Sequence, residues 1–246
     1  MHLTILTGAS RGLGRALLVQ LLQRGHPVLA LSRGRVDLGS AHPGQLTTWS
    51  VDLSEAAPVA QRLTAWLAER DISAVTSAAL INNAGAVSQL APLSDVGPAD
   101  LVNALRVGLE APTLLTAAFL NATARWTVPR KVVLVSSGLG RRAMAASASY
   151  CAAKAGLDHL ARAVALEESA KPNGARIVSL APGVIDTDMQ LQLRSADPTL
   201  FPDQHRFAAM KSGGQLDSPA TAASKLLTYL DRSDFGSNPV GDVRDA

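Results

Sequence analysis

Tyr150 stands four residues before Lys154, and Tyr229 is the only other tyrosine in the 246-residue chain. On a helix, Tyr150 and Lys154 share one face. An ammonium beside a phenol favours the phenolate and lowers the phenol pKa from about 10. Such a tyrosine can donate a proton to a carbonyl oxygen while a hydride reaches the carbonyl carbon. Ser137, 13 residues before Tyr150, carries a hydroxyl able to hold the same oxygen. Y-x-x-x-K alone is weak evidence and gains weight only with a second motif.

That second motif is Gly8-Ala9-Ser10-Arg11-Gly12-Leu13-Gly14, between an apolar strand pattern at Leu3–Thr7 and an apolar-periodic helix through Ala16, Leu17, Leu21 and Leu22. Glycines permit a tight turn and let backbone approach a pyrophosphate, and the helix that follows offers free N–H groups and a positive dipole end. The spacing is G-x-x-x-G-x-G, and glycine-rich turns of this kind also arise for packing alone. An enzyme choosing NAD places Asp or Glu at the end of the second strand for the ribose hydroxyls. This chain has Ser32-Arg33 there. Arg33 and Arg11 would pair with a 2′-phosphate, which predicts NADPH. The competing reading makes Arg33 a solvated loop cation beside Arg35.

These residues need a scaffold of alternating strands and helices. Strand patterns are read at Leu3–Thr7, Val28–Leu31, Leu46–Val51, Ala79–Ile81, Lys131–Val135 and Arg176–Leu180. Helical patterns fall around Val59–Glu69, Asp100–Ala122 with a bend near Pro112, and Ser149–Ser169. Short apolar runs between helices mark strands buried on both faces. The expected fold class is α/β: a single-domain, Rossmann-like, doubly wound parallel sheet with helices on both faces, spanning residues 1–246. Residues 190–216 are polar, contain Pro198, Pro202, Gly213 and Gly214, and are expected to form a substrate lid over the carboxyl edge of the sheet.

Composition limits the alternatives. With 47% apolar and 17% charged residues the chain is not generally disordered. Basic and acidic residues number 23 and 20, a net charge of +3 that gives no prediction of nucleic-acid binding. The one cysteine, Cys151, excludes an internal disulfide and reads as a packed residue. His26, His42, His159 and His205 have no metal-ligand spacing, and no metal is expected. No apolar run is long enough to span a membrane and the N-terminus lacks a signal pattern, so the expectation is a cytoplasmic protein.

As an ordered set, Thr7–Gly14, Asn82-Asn83-Ala84-Gly85, Ser137, Tyr150-x-x-x-Lys154 and Pro182-Gly183-x-x-x-Thr187 resemble the motifs of the short-chain dehydrogenases/reductases over essentially the whole chain. The resemblance implies catalysis by Ser137, Tyr150 and Lys154, with Lys154 also holding the nicotinamide ribose. It implies cofactor binding by Gly8, Ser10, Arg11, Gly12, Leu13 and Gly14. Asp52 and Leu53 would lie near the adenine, Asn83, Ala84 and Gly85 along the cleft, and Pro182, Gly183, Ile185 and Thr187 at the carboxamide. A homodimer or homotetramer is implied as well.

One position departs from the family pattern. Gly108 stands where many members have an asparagine that holds a water in a proton relay to the lysine; Asn103 lies five residues too early. Either waters fill the space at Gly108, or proton return to Tyr150 is slowed. The segments Leu180–Gln190 and Met210–Leu216 are similar to those of the sepiapterin reductases, a subgroup shared with bacterial reductases of aromatic 1,2-diketones such as benzil. That similarity implies a pterin side-chain ketone or a related vicinal dicarbonyl as substrate, and places Asp242 as an anchor for a pterin ring. Leu139 and Met189 are candidate apolar walls. The rival readings are a benzil-type reductase, a 3-oxoacyl reductase, and a regulator that senses NADPH without turnover.

Overall fold

The computed structural model describes residues 1–36, 38 and 44–245. His42 of the sequence reading lies outside them. Seven strands form one sheet: β1 His2–Thr7, β2 Val28–Ser32, β3 Leu46–Ser50, β4 Ser77–Asn82, β5 Arg130–Val135, β6 Arg176–Ala181 and β7 Val240–Asp242. All pairs are parallel and the order is β3-β2-β1-β4-β5-β6-β7. Alternation along the strands sorts the core into two layers. Ile5, Leu29, Leu80 and Leu134 face α2 (Ala56–Ala68), α4 (Ala111–Ala122) and α5 (Ala148–Ser169). Leu6, Ala30, Ile81 and Val133 face α1 (Gly12–Gln23) and α8 (Pro219–Asp231). The fold is therefore the expected doubly wound parallel sheet with helices on both faces.

Three features go beyond the sequence reading. β7 was not anticipated, because three residues including Gly241 carry no apolar run; it pairs with Ser179–Ala181 and closes one edge of the sheet. The interruption expected near Pro112 in the long central helix is a π-helical turn. Helix α3 (Pro98–Leu105) passes through a π-helical turn at Arg106–Glu110 into α4. Pro112 has no N–H to give the carbonyl four residues back, at Gly108, and the chain there opens to the wider π turn. Finally, residues 190–216 are largely helical: α6 is Asp188–Arg194 and α7 is Gln204–Ser212. Phe201 between them is fully buried and stacks on Phe207. Asp186 ties both helices down through Arg194 at 3.1 Å and Lys211 at 2.6 Å.

At the far end of α5 a buried carboxylate joins the helix to two strands. Glu168 accepts the Ala175 N–H at 2.8 Å, pairs with Lys171, and lies 4.0 Å from the buried Arg130 that begins β5. Burial alone would raise its pKa, but hydrogen bonds from Lys171 and Ala175 and the charges of Lys171 and Arg130 hold it below the usual carboxylate range. A depressed folded-state pKa contributes stability above the unfolded value of about 4.3 and loses it as pH falls through the folded value. Glu168→Gln should cost about 3–5 kcal/mol at pH 7. In urea titrations between pH 3 and 7 the variant should also lose part of the wild type's acid-side decline in stability.

Candidate active site

Strand order reverses between β1 and β4, and ligands of doubly wound sheets bind in the crevice that this opens. Two side chains staple that point. Thr7 Oγ1 accepts the N–H groups of Asn83 and Ala84, each at 2.9 Å. The Asn83 amide donates back to the carbonyls of Thr7 at 3.0 Å and Gly8 at 3.3 Å. Asn83 therefore holds the ends of β1 and β4 together. Gly8 turns with a φ of 71°, and a Cβ there would lie 2.9 Å from the Asn83 amide nitrogen. A Cβ on Gly14 would come within 2.0 Å of the Gly8 carbonyl oxygen. These two glycines let α1 begin directly against the strand ends. Arg11 is the N-cap of α1, no side chain caps the helix, and its first turn holds no acid. Its leading N–H groups are thus a ready anion site.

A cleft of about 560 Å³ runs along this edge. Of the residues expected around a cofactor it is lined by Gly8, Ser10, Arg11, Gly12, Leu13, Gly14, Arg33, Asp52, Leu53, Asn83, Ala84, Gly85, Tyr150, Lys154, Pro182, Ile185 and Thr187. Gly183 does not line it; with a φ of 82° it turns the chain after β6. Arg33 stands at one end near Asp52, whose carboxyl is held below its ordinary pKa chiefly by hydrogen bonds from Ser54, with a smaller contribution from Arg33. Arg11 reaches across to Asp188, the first residue of α6, at 2.9 Å, and both side chains are about 70% exposed. An exposed pair is worth little and exchanges readily for a better anion. The volume, the uncapped helix start and the two arginines fit an anionic dinucleotide.

Of the catalytic candidates, Tyr150 and Lys154 line the other end of the cleft; Ser137 does not, although its neighbour Ser136 does. Ser137 follows β5, and Tyr150 and Lys154 lie on successive turns at the start of α5. The Ser137 hydroxyl lies close enough to Tyr150 to draw its pKa down and accepts the Leu139 N–H at 3.2 Å. Lys154 is buried; its Nζ donates to the Val135 carbonyl at 2.7 Å and lies 5.4 Å from the centre of the Tyr150 ring. Burial lowers the Lys154 pKa to about 8, against an opposing pull from Asp158. The expected lowering of Tyr150 is corrected here: burial of the hydroxyl pushes its pKa up to about 12, with Ser137 pulling the other way. Desolvation outweighs the pull of Ser137, and Tyr150 stands as a protonated donor at neutral pH.

The expected substrate contacts separate. Met189 lines the cleft. Leu139 does not; it is buried with Leu90, Met144 and Phe201, a cluster against which Tyr150 and Phe207 pack. Asp242 lies on β7, outside the cleft, beside a smaller hollow lined by Arg141 and Arg244. Both its carboxylate oxygens are taken by Arg244, at 2.8 and 2.6 Å. Its pKa is lowered, first by that hydrogen bonding. The sequence reading missed Val107 and Asp188 in the cleft and set Asn103 aside, yet all three line it. None carries a motif; Asn103 and Val107, four apart, mark the inward face of one helix.

The short chain dehydrogenase family model matches residues 2–198. The benzil reductase ((S)-benzoin forming) of Bacillus cereus is 32% identical, the alignment covering 99% of this chain and 98% of that protein. The sepiapterin reductase of Meriones unguiculatus is 35% identical, covering 98% and 95%. A crystal structure of a short-chain dehydrogenase/reductase from Burkholderia vietnamiensis superposes with a TM-score of 0.68 at 35% identity, over 99% of this chain and 97% of that one. The chain belongs to the short-chain dehydrogenase family. It is an oxidoreductase of the CH–OH/C=O type, in a family that works with a nicotinamide cofactor.

Gly108 explains its own departure from the family pattern in steric terms. It is buried in the π turn, and a Cβ there would lie 3.0 Å from the Cβ of Ala153, the residue before Lys154. One residue on, the Leu109 side chain occupies the notch at Gly156, where a Cβ would meet it at 2.9 Å. The π turn and α5 thus touch through glycine on each side. Gly108→Asn should destabilise the fold by about 1–3 kcal/mol through overpacking and leave turnover no higher than wild type. Thermal unfolding and steady-state rates check this. A tenfold gain in turnover at unchanged stability would instead show that the missing amide limits the enzyme.

Proposed function

We propose that the chain is an NADPH-dependent carbonyl reductase whose substrate is a ketone borne on a flat ring, an aromatic 1,2-diketone before a sepiapterin-type pterin side chain. The observation that carries this reading is that buried Lys154 and half-buried Tyr150 line one end of a cleft that has Arg11 and Arg33 at the other, with Ser137 beside Tyr150 just behind the wall. The cofactor supplies a hydride to the ketone carbon. Tyr150 donates its phenolic proton to the ketone oxygen, and Ser137 holds that oxygen by its hydroxyl. The Lys154 ammonium favours the tyrosinate left behind. A Tyr150 that is protonated throughout the neutral range suits the reducing direction.

Substrate class is argued from the apolar cluster packed against Tyr150 and from Met189 in the cleft. Both suit an uncharged ring. As pterin anchor, Asp242 would have to give up both contacts to Arg244, which ranks the pterin second. A 3-oxoacyl reductase has no comparable support, and intact Ser137, Tyr150 and Lys154 weigh against a regulator without turnover. Residues 190–216 would serve as the lid within one reductase domain, over the cleft wall that Asp188 and Met189 begin. The working unit is taken as a cytoplasmic homodimer or homotetramer, as the family resemblance implies.

NADPH oxidation with benzil, sepiapterin and an acetoacetyl thioester tests the proposal. Benzil should be turned over, and Tyr150→Phe should lower kcat by about 10²–10⁴-fold. Because reduction needs both the phenol and the ammonium, kcat/KM should fall above about pH 8, where Lys154 loses its proton. Arg11→Ala combined with Arg33→Ala should erase most of the preference for NADPH over NADH. Failure to turn over any of the three carbonyls, or equal use of NADH by the wild type, contradicts the reading.

A further inference from the structure

Asp158 lies one helical turn beyond Lys154 on α5 and is 2% exposed. It does not line the cleft. Its Oδ1 accepts hydrogen bonds from Ser136 Oγ at 2.8 Å and Ser179 Oγ at 2.6 Å. Its Oδ2 lies 3.2 Å from Arg141 Nε without hydrogen-bond alignment. Arg141 in turn donates to the Gly241 carbonyl on β7 at 3.0 Å. Space for this carboxylate is provided by Gly140: a Cβ there would lie 2.9 Å from Asp158 Oδ2 and equally close to the Lys154 carbonyl oxygen. A buried ion pair is a poor way to gain stability, since apolar side chains of similar volume fill the space without desolvation cost. The location of the charge is more informative. Ser136 directly precedes Ser137, so one carboxylate fixes both the strand end that presents Ser137 and the helix that presents Tyr150 and Lys154.

We propose that Asp158 is a positioning residue for carbonyl reduction: its carboxylate clamps the Ser136–Ser137 step to α5, and its charge holds Lys154 as an ammonium. This rests on the roles proposed above for Ser137, Tyr150 and Lys154. The direction of the Lys154 shift agrees, since Asp158 is the influence that opposes burial there. Other groups also face Lys154. Tyr150 and Cys151 lie on its own helix and Arg141 on the turn after Ser137. β5 presents the Val135 carbonyl, the loop after β4 presents Gly85, and the π turn presents Gly108 against Ala153. None of these is a carboxylate.

The test is the pH profile of kcat/KM for benzil with NADPH, from pH 6 to 10, with thermal unfolding measured alongside. Asp158→Asn should lower kcat about tenfold and move the alkaline limb at least about half a pH unit towards acid. Arg141→Met, which unscreens Asp158, should move the limb the opposite way. A clamp of purely structural value would change stability or kcat and leave the limb of both variants where the wild type has it; that result overturns the proposal. If Asp158→Asn does not fold, the direction of the Arg141→Met shift decides. A wild type with no turnover sinks the reductase reading beneath the proposal, whereas an active wild type with unmoved variants sinks this proposal alone.

Discussion

The proposed reaction requires a lysine to be kept charged inside the protein, and much of the site is arranged around that constraint. Lys154 is buried at the start of α5, which desolvates its ammonium and pulls its pKa down to about 8. The fold offsets this locally, with the Val135 carbonyl at the end of β5 and the Asp158 carboxylate one turn along the helix. Both partners depend on α5 lying against the carboxyl ends of β5 and β6. That placement follows from the core layer in which Leu157, Ala161 and Val164 of α5 meet Leu134 and Ile177 of the sheet. Burial of an apolar helix face thus sets where the ammonium sits, and so where the Tyr150 phenol can act.

The opposite end of the cleft works by exposure. Arg11 and Asp188 face each other across the mouth in water, where an ion pair contributes little. The uncapped start of α1 leaves N–H groups free at the same place. One end of the cleft is therefore dry and fixed while the other is wet and exchangeable. This division suits a reaction centre joined to a site that takes up and releases an anionic cofactor.

The sheet was legible in the sequence because its strands are buried on both faces: Leu3–Thr7, Val28–Leu31 and Arg176–Leu180 stand out as apolar runs. β7 was not, since Val240-Gly241-Asp242 is held by its pairing with β6 and has little apolar content of its own. Tyr150, Lys154 and the glycine turn were legible because their chemistry depends on local spacing. Asp158, Asn103 and Asp188 were not, because their significance comes from which elements meet: Asp158 from Ser136 and Ser179, Asp188 from Arg11. The polar stretch around residues 190–216 concealed two helices, Asp188–Arg194 and Gln204–Ser212. Phe201 is one apolar residue among many polar ones, yet it is fully buried and secures the segment. The sign of the Tyr150 shift also required three dimensions, since spacing reveals the lysine beside the phenol and conceals the desolvation of both.

In the proposed reaction this site delivers a hydride to a ketone carbon while Tyr150 protonates the oxygen. Following deuterium from NADPH dideuterated at the nicotinamide C4 position into the product of benzil reduction tests it most directly. The account predicts one deuteron on the carbinol carbon of the hydroxyketone formed by the wild-type enzyme, and no such product with Tyr150→Phe on the same timescale. Reduction without label at that carbon, or undiminished labelled product from Tyr150→Phe, would contradict it.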